Sequence, residues 1–417
     1  MHCEAGEDMS NNIVVVKFGG SCLSGPDNVR TAAEKVGREV AKGKKVVTVV
    51  SALSGMTDQL LSLAQNSTQK KVSKEELDDI AAMGERTVVR LLSAALNAQG
   101  TKAKGIDPDS PLWPILTDSN FGNAKVYLED TRKRAKANLL PLLDEGWTLV
   151  ICGFLGLSTE GKVTTLGRGG SDITAVLLGN CLDADEVVFV KDVGGVLSAD
   201  PKMVVAPQKI DSLMVEEAYS LASAGAKVIQ PKALTYKKES MTLRVVGFDA
   251  SDLSGGTVIT GELKLGLNVE LYPVSLSMVT LITANGSLSK VAQTLSEATS
   301  AGTEVLGLTI SSSSILLYVR EAKNLVARLH AMITNNGVAK AIHSVDGLAM
   351  IVISGYGLED IPGILEASIE PLAKEGTNLH GVFTISNSIN VFVPWEEREN
   401  ALSAVKYVLD RFRKSGN

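Results

Sequence analysis

Ile13-Val-Val-Val-Lys-Phe-Gly-Gly-Ser21 is the stretch that decides the fold. Its first four residues are β-branched with no polar break, the pattern of a strand buried on both faces in a parallel sheet. Lys17 falls at the C-terminal end of that strand, the edge at which open α/β sheets take their ligands. Gly19, Gly20 and Ser21 then supply flexible backbone and hydroxyl donors. A helix is expected from Pro26-Asp27, with Val29, Ala33, Val36 and Val40 on one face and Gly43 closing it. A lysine at a strand end followed by Gly-Gly-Ser suits phosphate. The chain has neither the G-x-x-x-x-G-K-[ST] phosphate loop nor the G-x-G-x-x-G dinucleotide fingerprint.

A second loop of the same kind lies at Thr165-Leu-Gly-Arg-Gly-Gly-Ser-Asp-Ile-Thr174. Gly167, Gly169 and Gly170 bracket Arg168, and the apolar run Ile173–Leu178 reads as a buried helix with Ser171 or Asp172 at its N-cap. Glycines ahead of a helix N-terminus let backbone N–H groups approach an anion, and the planar guanidinium suits a carboxylate or a phosphate. Such a loop can hold a small anionic substrate beside a reacting phosphoryl group. It can also be a glycine-rich turn with a capping aspartate.

Between residue 13 and about residue 260, short β-branched runs (Ile13–Val16, Val46–Val50, Thr148–Cys152, Glu186–Val190, Leu243–Val246) alternate with helical patterns, notably Lys74–Asn97 and Asn123–Leu143. That alternation predicts a mostly parallel open sheet sandwiched by helices. Pro111–Asn120 reads as a loop or short hairpin over one edge. The character changes after Gly255-Gly256, and 262–274 reads as a connector. Beyond it the order βαββα occurs twice. The first copy comprises Met278–Thr283, Leu288–Ala301, Thr303–Ile310, Ser314–Val319 and Ala322–Met332. The second comprises Leu348–Ser354, Ile361–Lys374, Thr377–Ile385, Ser388–Val393 and Glu396–Arg411. A repeat of about 70 residues in this order predicts paired ferredoxin-like modules. The expected domains are 12–261, 275–340 and 341–417.

The bulk numbers narrow the function. With 417 residues the chain is long enough for two or three domains, and its formal net charge of -6 argues against nucleic acid as a partner. The four cysteines (Cys3, Cys22, Cys152, Cys181) have no metal-ligand spacing, which suits a reducing, cytoplasmic setting. No apolar stretch approaches the roughly 18 residues of a membrane span. The first twelve residues carry Glu4, Glu7 and Asp8, so a frayed tail rather than a signal peptide is expected, with Met9 a second candidate start.

Seven motifs, in this order and spacing, resemble the aspartate kinases of the amino-acid kinase superfamily over nearly the whole chain. They are Lys17-Phe-Gly-Gly-Ser21, Val50-Ser-Ala-Leu-Ser-Gly-Met-Thr-Asp58, Gly84-Glu85, Thr117-Asp-Ser-Asn-Phe-Gly-Asn-Ala124, Gly167-Arg-Gly-Gly-Ser-Asp172, Asp192-Val-Gly-Gly-Val-Leu-Ser-Ala-Asp-Pro201 and Gly225-Ala-Lys-Val-Ile-Gln-Pro231. The C-terminal repeats resemble that family's ACT modules, βαββαβ in full. The resemblance implies the amino-acid kinase fold and phosphorylation of the β-carboxylate of L-aspartate by MgATP, giving 4-phospho-L-aspartate. A carboxylate nucleophile is already ionised at neutral pH, so no general base is needed. His2, His330, His343 and His380 all lie outside the first domain's loops. Catalysis then rests on positioning and charge neutralisation.

The resemblance also implies roles. Lys17 neutralises the transferring phosphoryl group, and Asp172 orients Lys17 or the substrate amine, unless it serves as an N-cap alone. Arg168 clamps the substrate α-carboxylate. Glu85 accepts from the α-ammonium, unless it is one more surface glutamate beside Glu75, Glu76, Asp78 and Asp79. Ser51, Thr57 and Ser171 help hold the substrate. Lys17, Gly19, Gly20 and Ser21 meet the phosphates of ATP, and Lys191, Asp192, Asp200, Lys202 and Lys227 line the nucleotide pocket. The phosphates themselves are expected to carry Mg²⁺, with no protein metal site. A homodimer with an amino-acid effector at the ACT interface is implied. The chain departs from the family at Cys22 (usually a small hydroxyl residue), Lys191 (threonine), Leu197 (tyrosine) and Gln230 (histidine), all of which bear on nucleotide contact. Two other readings remain: a kinase for glutamate or N-acetylglutamate, and a catalytically silent amino-acid sensor.

Overall fold

The computed structural model describes residues 11–263, 266–282, 292–296, 300, 302–320, 323–336, 339–356, 358, 361–385 and 387–415. The chain divides into two compact units between Leu263 and Lys264.

In the first unit the β-branched runs form the middle of an eight-stranded sheet. Its strands are β1 (Ile13–Phe18), β2 (Lys45–Val50), β3 (Ala103–Ile106), β5 (Thr148–Cys152), β8 (Glu186–Lys191), β11 (Ser212–Met214), β12 (Thr242–Gly247) and β13 (Thr257–Thr260). The order is β11-β13-β12-β8-β1-β2-β5-β3, and β9 (Val196–Leu197) pairs separately with β10 (Lys209–Ile210). From β12 to β3 all pairs are parallel, and only β12–β13 is antiparallel. All six residues of β1 are buried, so both faces of the sheet are covered. The covering helices are α1 (Pro26–Ala41), α2 (Met56–Ser67), α3 (Lys74–Ala98), α4 (Leu128–Asp144), α5 (Gly170–Cys181), α6 (Val215–Ser223) and α7 (Pro231–Leu234). Strand order reverses at β1, whose neighbours are β2 on one side and β8 on the other. Crevices of this kind, at the C-terminal ends of parallel strands, are where open α/β sheets bind ligands.

Three expectations are corrected here. The helix expected from Asn123 begins only at Leu128, because Val126 bridges Thr117 and the Ala124 N–H donates to Thr165 O. The Pro111–Asn120 segment contributes β4 (Leu116–Thr117) to a small sheet with β6 (Leu155–Ser158) and β7 (Val163–Thr165). Neither Ser171 nor Asp172 caps α5. The helix starts at Gly170 behind Gly169, whose φ of 70° is left-handed, so both side chains sit inside the first turn.

The second unit is one seven-stranded sheet containing two copies of a four-stranded module. In the first copy, β15 (Leu276–Ile282), helical residues 292–296, β16 (Val305–Ile310), β17 (Ser314–Val319), α8 (Lys323–Asn336) and the first part of β18 (Ala341–Ser354) give the spatial order β16-β17-β15-β18. In the second, the rest of β18, α9 (Ile364–Lys374), β19 (Gly381–Ile385), β20 (Ser388–Pro394) and α10 (Arg398–Ser415) supply three strands and both helices. The fourth strand comes from β14 (Asn268–Leu271), antiparallel to β18 from Ile351 to Ser354. The stretch expected to be a plain connector thus completes the second module. Four residues of alternating half-burial at a sheet edge carry too little pattern to be told from an extended linker. Each module closes its own apolar core, around Val279, Leu317 and Leu329 in the first and Ile351, Val391, Leu372 and Val405 in the second.

Candidate active site

Lys17, at the end of β1, reaches across to α5, where its Nζ lies 2.7 Å from Asp172 Oδ1. The other carboxylate oxygen of Asp172 accepts from the Gln230 N–H at 3.2 Å. Burial pushes Asp172 towards its neutral form. The Lys17 ammonium, with Lys191 behind it, outweighs burial and holds the carboxyl below the usual aspartate range. A fixed ion pair therefore sits at the switch point, with both side chains about nine-tenths buried.

The turn after β1 needs glycine at Gly20, since a Cβ there would stand 2.5 Å from Ala52 O. This close approach brings the β2 exit loop against the phosphate-type loop, with the Ser51 N–H donating to Phe18 O. α3 packs beneath the same loop. A Cβ at Gly84 would lie 2.6 Å from Ala52 Cβ, so Gly84 lets the helix come close enough for the Ala52 N–H to donate to Glu85 Oε1 at 3.1 Å. Glu85 Oε2 is buried with no partner, and burial raises the carboxyl to about 7. A buried acceptor left open beside a cavity suits a ligand cation.

Arg168 stands on the loop between β7 and α5, held by left-handed glycines on both sides (Gly167 at φ 77°, Gly169 at φ 70°). Its guanidinium is exposed and, among the described residues, has no ion-pair partner. Lys17, Ser51, Thr57, Glu85, Arg168, Ser171 and Asp172 all line one cleft of about 620 Å³. Gly20 lines an adjoining hollow of about 230 Å³ with Ser51, Thr57 and Glu85. The structure therefore brings together every residue assigned to substrate or chemistry from sequence. Phe154 and Asp78 line the same cleft and were not singled out from sequence. Phe154 holds a left-handed φ of 69°, which no sequence pattern announces.

Apart from Lys17, the residues assigned to the nucleotide lie outside that cleft. Lys191, at the end of β8, directs its ammonium to the carbonyls of Lys227 and Val228. Asp192, Asp200, Lys202 and Lys227 are exposed, and Asp200 Oδ1 accepts from the Lys202 N–H at 2.8 Å in a turn. Cys22 donates its thiol to Val190 O at 3.4 Å, and burial raises its pKa, so it stays a neutral donor as a hydroxyl would. Gln230 packs on Gly169, where a Cβ would come within 2.7 Å of it. Among the described residues no group of three or more His, Cys, Asp or Glu side chains could hold a metal ion. No described helix is long and apolar enough to cross a membrane.

The pattern of the Amino acid kinase family matches residues 12–247. An aspartokinase from Bacillus sp. (strain MGA3) is 31% identical, covering 97% of this chain and 98% of that protein. This chain is an aspartokinase-type member of the amino acid kinase family. Solved aspartokinases share the fold. Aspartate kinase from Synechocystis superposes with a TM-score of 0.75 at 24% identity over 94% of this chain and 69% of that one. Aspartokinase III of E. coli, in complex with aspartate and ADP in its R-state, gives 0.55 at 24% identity over 95% and 99%. The stretch that matches the family falls within the first unit, and the paired ACT-type modules make up the second.

Proposed function

We propose that the chain transfers the γ-phosphoryl group of ATP to the β-carboxylate of L-aspartate, giving 4-phospho-L-aspartate and ADP, the first step towards the aspartate-derived amino acids. The observation that carries this reading is one cleft holding three complementary groups: the free Arg168 guanidinium, the open Glu85 Oε2 and the Lys17–Asp172 pair. A free α-amino acid has a carboxylate for the first and an ammonium for the second. Its side-chain carboxylate then points towards Lys17. One carboxylate oxygen attacks Pγ, the bond from Pγ to the bridging oxygen breaks, and its electron pair leaves with ADP. No proton moves, so no general base is needed. Lys17 neutralises the equatorial phosphoryl oxygens, and Asp172 fixes the direction of its ammonium. Ser51, Thr57 and Ser171 offer hydroxyls along the cleft.

Gly19, Gly20 and Ser21 cradle the ATP phosphates, and Lys191, Asp192, Asp200, Lys202 and Lys227 surround the nucleotide. Lys191 does so indirectly, its ammonium donating to the carbonyls of Lys227 and Val228 and so holding the segment that carries Lys227. Mg²⁺ would be carried by the ATP phosphates, because among the described residues no cluster of carboxylates could cage it. The setting is cytoplasmic, consistent with buried free cysteines.

The assay traps acyl phosphate with hydroxylamine across a panel of amino acids. Aspartyl hydroxamate without glutamyl hydroxamate is expected, because one more methylene moves the nucleophile by about a C–C bond length and spoils in-line attack. Equal yields would point to a broader acid kinase, and none at all to a silent sensor.

The second unit is read as regulatory, in a homodimer whose subunits meet through the ACT-type modules; a monomer at micromolar concentration would refute this. The first module's turn, Ala284-Asn-Gly-Ser-Leu-Ser-Lys290, lies outside the described residues, as do parts of Gly355–Gly363 in the second. In the hairpin Ser311–Ser314, Ser311 Oγ and Ser314 Oγ bond each other at 2.8 Å, and no charged side chain is offered. Weak or absent inhibition by lysine follows, with threonine the better candidate. An inhibition titration with both decides it.

A further inference from the structure

The motif Thr117–Ala124 has no part in the reaction as described so far, and a carboxylate on α3 shows what it does. Asp78 is only 4% exposed and, among the described residues, forms no ion pair. Its Oδ2 accepts from two backbone N–H groups, Gly122 at 2.9 Å and Thr165 at 2.8 Å. Its Oδ1 accepts from Thr165 Oγ1 at 2.8 Å. One side chain thus ties two loops together. Thr165 is also held from its other side, because its carbonyl accepts from the Ala124 N–H at 2.8 Å. The next residue, Leu166, donates to Phe154 O at 2.8 Å. Two residues further on, Arg168 stands between glycines in left-handed conformation. Those glycines give the loop freedom to swing, and the anchor at Thr165 limits it. Asn123 packs where a Cβ on Gly167 would be, so the motif loop buttresses the Arg168 loop directly.

Asp78 and Glu85 share a helix and stand seven residues apart, close to two turns, on the buried side of α3. We propose that Asp78 is a positioning residue. It references the Arg168 loop to the helix that carries Glu85, and so sets the separation of the two groups that grip the substrate's α-carboxylate and α-ammonium. It acts on substrate affinity rather than on the phosphoryl-transfer step, because Lys17 and Asp172 are held by other elements. The inference rests on the aspartate reading above.

The test compares wild type, Asp78→Ala, Asp78→Asn and Thr165→Val in the full chain. In Asp78→Ala the KM for aspartate should rise about tenfold or more, the usual effect of losing hydrogen bonds to a charged acceptor. The ATP KM and kcat should move far less. Asp78→Asn keeps one acceptor oxygen for the two N–H groups and should recover most of the affinity. Thr165→Val should fall between, and should add little on top of Asp78→Ala because both act on one contact. If Asp78→Ala does not fold, Thr165→Val decides alone. An unchanged aspartate KM, or parallel losses in both KM values, kcat and melting temperature, would overturn the proposal. A second arm needs no substrate: amide exchange at Thr165 and Gly122 should speed up in Asp78→Ala. Wild type that makes no aspartyl hydroxamate sinks the substrate reading, whereas unchanged exchange at these two amides sinks the clamp.

Discussion

Glu85 is the residue with the most to reveal by titration. Its carboxyl is raised by burial from 4.5 to about 7, while the Ala52 N–H only partly offsets that cost. Only the carboxylate can take the substrate ammonium, so the KM for aspartate should climb roughly tenfold per pH unit below 7. A pH profile of kcat/KM for aspartate, beside that for ATP, would reveal it. Stability should move the opposite way to ordinary acid denaturation. Because the folded pKa lies above the unfolded one, the folded protein binds the extra proton between pH 4.5 and 7, and stability falls as pH rises through that window. The loss amounts to about 3 kcal/mol once both states are ionised. Glu85→Gln should remove that slope in urea titrations and bind no aspartate. Lys17→Ala should lower kcat by roughly 10²-fold or more, as for loss of one preorganised charge stabiliser. Arg168→Ala should chiefly raise the aspartate KM, since its clamp exists in ground and transition states alike. Steady-state kinetics with both substrates separates these, and the reverse pattern would mean that the two roles are exchanged. Lys191 shows a limit of reading residues one at a time: its ammonium is held by the carbonyls of Lys227 and Val228, a contact that no local pattern announces.

At the scale of elements, α3 is the member on which the cleft depends. Its start is written locally, since Ser73 and Glu76 form a reciprocal capping box. Its depth of approach is set by Gly84. Gly84→Ala would push Ala52 and the β2 exit loop away from the helix and carry Glu85 with it. A loss of about 1–3 kcal/mol of stability is expected from such overpacking, with a larger rise in aspartate KM than in ATP KM. Thermal melts and kinetics on the one variant test both, and a wild-type aspartate KM would show that the contact is slack. β14 is the corresponding member of the second unit. The Tyr272 N–H donates to Met350 O, so by the two-residue alternation the Glu270 N–H also faces β18. Glu270→Pro should remove a ladder bond and destabilise the second unit by about 1–3 kcal/mol. Trp395 lies in that unit and Trp113 and Trp147 in the first, so fluorescence of single-tryptophan variants can assign the early transition.

Across the whole molecule, the order of elements and the motifs that line the cleft were legible in sequence because both are written locally. The β-branched runs gave β1, β2, β5, β8 and β12 within a residue or two, and period-two and helical patterns gave both βαββα repeats. Lys17, Glu85, Arg168 and Asp172 stand in motifs whose residue types already match the charges of an amino acid and a phosphoryl group. Strand order, however, depends on which edges meet after collapse, and β14 lies about eighty residues from the β18 segment it pairs with. The N-cap of α5 passed to Gly169 because the Lys17 ammonium claims Asp172, and that pairing joins residues more than 150 positions apart. Asp78 read as one acid among several on a helix, and only the folded chain sets Thr165 and Gly122 against it. Composition and spacing thus determined what this chain is built from and the chemistry its motifs suit. The tertiary structure alone decided which distant groups share one buried cleft, because burial, close approach and the shift of Glu85 arise only when water is excluded from between them.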